Sequence, residues 1–91
     1  MMHVHLVFVT KYRRHVFDAD AIQRLRLHFA SECKDFEAEL VEMDGEDDQV
    51  HLLVNYPPKV AVSKLVNSLK GVSSRLLRKE RPDIANRYWK N

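Results

Sequence analysis

Residues 3–10, His-Val-His-Leu-Val-Phe-Val-Thr, are largely β-branched or apolar and predict a strand with His3 and His5 on one face. Lys11 to Phe17 form a basic connection. Asp18 then suits the N-cap of a helix over 19–34, with Asp20 favourable in its first turn and Ile22, Leu25, Phe29 and Cys33 recurring at helical spacing as the buried stripe. His28 falls beside that stripe, as a surface or boundary residue. Residues 36–43 alternate and predict a second strand, Gly45 marks a turn, and residues 49–55 predict a third strand, so the last two form a hairpin. Tyr56-Pro57-Pro58 ends it, because proline cannot continue a central ladder. A second helix is predicted over 61–80. Its apolar stripe is Val62, Leu65, Val66, Leu69, Val72 and Leu76, and Pro82 stops it.

The order strand, helix, strand, strand, helix matches the first five of the six elements of a split β-α-β, ferredoxin-like fold. The predicted class is therefore α+β: an antiparallel sheet with helices on one face and the last strand missing. A sheet ending there leaves an edge that a partner can cover, so a homodimer is expected. Ninety-one residues allow one domain.

Composition adds an ordered chain, with 45% hydrophobic residues and only two glycines and three prolines. The single cysteine, Cys33, excludes an internal disulfide and reads as a buried small hydrophobe. No apolar run approaches membrane-spanning length and the N-terminus has no signal-peptide pattern, so cytoplasm is the default and no membrane partner is expected.

Charge is more informative than its net value of +2. Residues 31–48 hold nine acids and one base, whereas residues 59–91 hold nine bases and two acids. Lys11, Arg13 and Arg14 add a tight basic group around Tyr12. On the second helix Ser63, Asn67, Lys70, Ser74 and Arg78 share a polar face with Arg75 and Lys79 beside it. Basic segments that converge in space would make a phosphate-binding surface; the plain alternative is solvated helix faces.

Gln49 and His51 project from one face of the third strand, behind the acidic turn Gly45-Glu46-Asp47-Asp48. Two ligand-type side chains beside carboxylates could hold a divalent metal, although a polar strand face explains such a three-residue motif more often than a metal does. His3-Val4-His5 has the same spacing and reads as an ordinary strand face.

Four blocks carry a family resemblance. They are residues 5–17 (His-Leu-Val-Phe-Val-Thr-Lys-Tyr-Arg-Arg-His-Val-Phe), 48–54 (Asp-Gln-Val-His-Leu-Leu-Val), 57–63 (Pro-Pro-Lys-Val-Ala-Val-Ser) and 69–76 (Leu-Lys-Gly-Val-Ser-Ser-Arg-Leu). In order and spacing they resemble the insertion sequence 200-like transposases, single-tyrosine members of the HUH endonuclease superfamily. The resemblance implies a dimeric enzyme of DNA transposition that acts on single-stranded DNA hairpins. A tyrosine attacks a phosphodiester while a divalent metal (Mg or Mn), held by two histidines and a polar residue of a C-terminal helix, polarises the phosphate. Position 49, where the pattern has its first histidine, is Gln49, and the second is His51. The nucleophilic tyrosine's helix has no counterpart, since Tyr12, Tyr56 and Tyr88 all lie in other contexts. The chain thus reads as a C-terminally truncated copy whose metal binding is weak or absent. The expected DNA contacts are Lys11, Tyr12, Arg13, Arg14, Lys70, Ser73, Ser74, Arg75 and Arg78, and the expected metal ligands are Gln49 and His51. The alternative is a non-catalytic nucleic-acid-binding remnant or a small dimerisation domain.

Overall fold

The computed structural model describes residues 1–10, 15 and 17–83, with Leu76 described through its backbone only. Its elements are β1 (Met2–Val9), α1 (Ala19–Asp35), β2 (Glu39–Gly45), β3 (Gln49–Tyr56) and α2 (Val62–Glu80). The strands form one antiparallel sheet in the order β1-β3-β2. Val50, Leu52, Val54 and Tyr56 of β3 are buried, together with Phe8 of β1 and Met43 of β2. This side of the sheet meets Leu25 and Phe29 of α1 and Leu65 and Leu69 of α2 in one core. Phe8 and Phe29 meet edge to face, with ring centroids 5.6 Å apart. The fold is α+β, and its sheet order and one-sided helices follow the predicted ferredoxin-like plan. Residues 84–91, with Tyr88 and Trp89, lie outside the described residues.

Asp18 caps α1 as expected: its Oδ1 accepts from the Ala21 N–H at 2.8 Å. The same carboxylate receives both terminal nitrogens of Arg81, at 2.8 Å each, and Arg81 also reaches Asp20 and Asp83. These bonds tie the start of α1 to the end of α2. The Arg81 hydrogen bond, then the Ala21 N–H, hold the Asp18 carboxyl far below the usual carboxylate range. Because that pKa is depressed, the contribution is complete at neutral pH. It fades only as pH falls below the ordinary carboxylate range and through the folded-state value.

Three local features differ from the sequence reading. The second strand starts at Glu39 rather than at 36, because α1 ends in a Schellman turn. The Ala38 N–H reaches the Cys33 carbonyl, the Glu37 N–H reaches the Lys34 carbonyl, and Glu37 adopts a φ of 58°. A non-glycine residue in that region is strained. Glu37→Gly should therefore raise stability by about 0.5–1 kcal/mol, even with loss of the exposed Glu37–Lys59 ion pair. Chemical denaturation checks this; a loss of stability would show that the pair outweighs the strain.

Gly45 closes β2 with a negative φ and serves packing rather than turn geometry. A Cβ there would lie 2.5 Å from Cδ1 and 2.7 Å from Cγ2 of Ile22. The turn itself is 46–49, closed by the Glu46 N–H to the Gln49 carbonyl at 2.8 Å.

On α2 the fully buried line is Leu65, Leu69, Ser73 and Leu77, and Val62 and Val66 pack at its margin. Ser73 fits this apolar line because its hydroxyl donates to the Lys70 carbonyl at 3.0 Å, within the helix.

Candidate nucleic-acid and metal-binding site

Strand alternation and register assemble the open face of the sheet. Gln49 and His51 project away from the helices, and His51 is exposed. On β1, Val7 lies opposite His51 and His5 opposite Leu53. On β2, Asp44 lies opposite His51 and Glu42 opposite Leu53. A concave pocket of about 400 Å³ on this face is lined by His5, Val7, Glu42, Asp44, Glu46 and His51, among others. Gln49 Nε2 donates to Glu46 Oε2 at 3.1 Å. The structure thus groups His5, Glu42, Asp44 and Glu46 with the two residues singled out from sequence. Strand parity combined with the hairpin register was the signal for them; the three-residue motif alone did not contain it.

As a metal site, this face offers one imidazole, one amide oxygen and nearby carboxylates. Such a hard, oxygen-rich set suits Mg²⁺ or Mn²⁺ better than a soft ion. Among the described residues, however, no three His, Cys, Asp or Glu ligand atoms converge at His51. The chemistry of the donors fits a divalent cation, with only part of its coordination supplied by these residues.

The basic residues of α2 divide by burial. Arg75 and Arg78 are exposed, and Lys70 and Ser74 are half-buried. Lys70, Ser74 and Arg78 follow one another at four-residue intervals along one line of the helix. Lys70 lays its stem beside the core, with Nζ 5.9 Å from the Phe8 ring centroid. Ser73 corrects the sequence reading: it is fully buried with its hydroxyl committed to Lys70, so it offers no donor to DNA. Lys11, Tyr12, Arg13 and Arg14 lie outside the described residues. The connection that contains them is held at both ends to the β2–β3 turn, by Thr10 N–H to Asp48 O and Phe17 N–H to Asp47 O, each 2.9 Å.

Three further residues behave as plain structure. Burial, with Glu32 nearby, pushes the Cys33 thiol up to about 11, so it is protonated and unreactive at neutral pH. Tyr56 is 8% exposed and faces the helices, away from His51. His28 is at the boundary as predicted, and its Nε2 lies 3.1 Å from Glu80, which also binds Arg24. No described helix is long and apolar enough to cross a membrane.

Comparison with known proteins agrees with this frame. The chain is 31% identical over 84 residues to the transposase for insertion sequence element IS200 of Salmonella typhimurium, covering 92% of this chain and 55% of that protein. It is 28% identical over 85 residues to the ISDra2 transposase TnpA of Deinococcus radiodurans, covering 93% of this chain and 61% of that protein. The chain therefore spans little more than half the length of these relatives. A crystal structure of a protein described as a transposase from Deinococcus radiodurans superposes with a TM-score of 0.92 at 26% identity, covering 98% of this chain and 72% of the other. The family described as Transposase IS200 like matches residues 1–91. With its sheet order, helix placement and sequence blocks in register along that whole length, the chain belongs to the IS200-like transposase family.

Proposed function

We propose that residues 1–91 form the DNA-engaging part of an IS200-like transposase, which binds a single-stranded DNA hairpin as a homodimer during DNA transposition. The observation that carries this reading is the family match over the whole chain, joined to the line Lys70, Ser74, Arg78 with Arg75 beside it on α2. Cations on one helix face neutralise successive phosphates, and their contacts supply affinity and position more than sequence choice. Lys11, Arg13 and Arg14 would add to that surface, with Tyr12 available to stack on a base. Gln49 and His51 would share a divalent metal that polarises a scissile phosphate, while Asp44 and Glu46 beside them add negative charge that attracts the ion. The outer edges of β1 and β2, which no other strand among the described residues pairs, would serve the dimer.

One observation favours binding without cleavage as the alternative: position 49 is an amide rather than an imidazole, and it is already hydrogen-bonded to Glu46. Cytoplasmic location belongs to the same reading. The test is titration of the 91-residue chain with a labelled single-stranded hairpin at several salt concentrations, with light scattering on the same samples. Affinity should fall linearly with the logarithm of salt, and the particle mass should be that of two chains. Salt-independent binding, or none at low salt, would remove the DNA reading, and a monomer at tens of micromolar would remove the dimer. Incubation with Mn²⁺ followed by a denaturing gel separates the two readings. A covalent protein–DNA adduct selects the enzyme, and intact DNA with retained binding shows that this segment binds without cleaving.

A further inference from the structure

A second group of ligand atoms lies where the turn before β3 meets the connection after β1. His15 Nδ1 is 2.8 Å from Asp47 Oδ2, and ligand atoms of His15, Asp47 and Asp48 all lie within 4.8 Å of one another. Among the described residues, three such side chains converge nowhere else. The donors come from two separate chain segments and are of two kinds, one imidazole nitrogen and two carboxylates. Asp48 faces inward and is only 7% exposed, whereas Gln49 and His51 face outward. Charge interactions at a buried carboxylate are screened less than at the surface, so a cation there gains more.

We propose that His15, Asp47 and Asp48 form a divalent-cation site for an ion of the Mn²⁺–Zn²⁺ class, distinct from Gln49 and His51. Mixed imidazole and carboxylate ligation selects that class over a purely hard or purely soft ion. Ligand atoms about 2.1 Å from such an ion stand about 3.0–3.4 Å apart, so shifts of roughly an ångström would close the group. The backbone is already set for it. Thr10 and Phe17 donate to the carbonyls of Asp48 and Asp47, so both ends of the 10–17 connection are anchored on the two residues that supply the carboxylates. An ion bridging His15 to Asp47 and Asp48 would add a third tie between these segments. Its expected consequence is a firmer base for the connection that contains Lys11, Arg13 and Arg14. The inference stands independently of the DNA reading, because it concerns only metal binding by this chain.

The test is titration of the whole chain with Mn²⁺, followed by electron paramagnetic resonance, and with Zn²⁺, followed by the histidine ring signals in NMR. His15 and Asp47 have side chains 72% and 57% exposed, so the pair His15→Ala and Asp47→Asn should leave the fold intact. That double variant should lose about tenfold or more in affinity, or one bound equivalent. His51→Ala should retain this site, and the His15 ring signals should shift with the first equivalent of Zn²⁺. Unchanged binding in the double variant, loss of all binding in His51→Ala, or no binding of either ion by the unaltered chain would each overturn the proposal. The metal-free hairpin titration reports on DNA binding separately.

Discussion

Neutralising Lys11, Arg13, Arg14, Lys70, Arg75 and Arg78 together with glutamine should lower hairpin affinity by orders of magnitude and flatten its salt dependence. Each phosphate contact to a single strand contributes about 0.7 to the slope of log affinity against log salt, so six cations account for a change of up to about four. The fold should survive. Arg75 and Arg78 are exposed, and glutamine at 70 keeps much of the stem that lies along Phe8. Making the α2 set (Lys70, Arg75, Arg78) and the connection set (Lys11, Arg13, Arg14) separately divides the slope between the two segments. A full variant with unaltered affinity and slope would show that DNA, if bound, is held elsewhere. A variant that lost affinity with its slope intact would point to base stacking or groove shape rather than phosphate contacts.

Phe29→Ala should cost about 3–5 kcal/mol, the range for emptying a large aromatic site in a packed core. Phe29 is fully buried, touches the Phe8 ring edge to face, and lies in the cluster that joins α1 to the sheet and to α2. A small domain has only about 5–15 kcal/mol of stability in total, so the melting temperature should fall by tens of degrees or the variant should fail to fold. Phe29→Leu keeps most of the volume and should lose distinctly less. Thermal and denaturant unfolding of both variants read this directly. A loss below about 1 kcal/mol in Phe29→Ala would mean that the site collapses around the cavity, contrary to the tight contact with Phe8.

Much of the architecture was legible in the sequence because it rests on local, periodic signals. Asp18 before an apolar stripe located the start of α1, and Leu25, Phe29 and Cys33 located its buried side. The alternation of 49–55 placed Gln49 and His51 on a shared face, and Pro57-Pro58 ended that strand. The order of elements yielded the sheet plan, and blocks at 5–17, 48–54, 57–63 and 69–76 pointed to the family that matches the whole chain. Local pattern misled where a neighbour in space decided the outcome. Phe36 looked like the first residue of a strand, but its backbone N–H donates to the Cys33 carbonyl in the turn that ends α1. Gly45 looked like a turn residue, but Ile22 of α1 is what leaves no room for a side chain there. Ser73 looked like a polar surface residue, but α2 turns it into the core with its hydroxyl satisfied inside the helix.

For the candidate sites the division has a single physical cause. Spacing along one strand or helix is carried by covalent geometry, so the sequence by itself determined that Gln49 pairs with His51 and that Lys70, Ser74 and Arg78 form a line. Encounters between segments depend on strand register and on loop closure, which no short stretch encodes. Only the tertiary structure brought Asp44 and His5 beside His51 through pairing on both edges of β3. Only the bonding of Thr10 and Phe17 to the backbone of Asp48 and Asp47, and not any local pattern, brought His15 to Asp47 and Asp48.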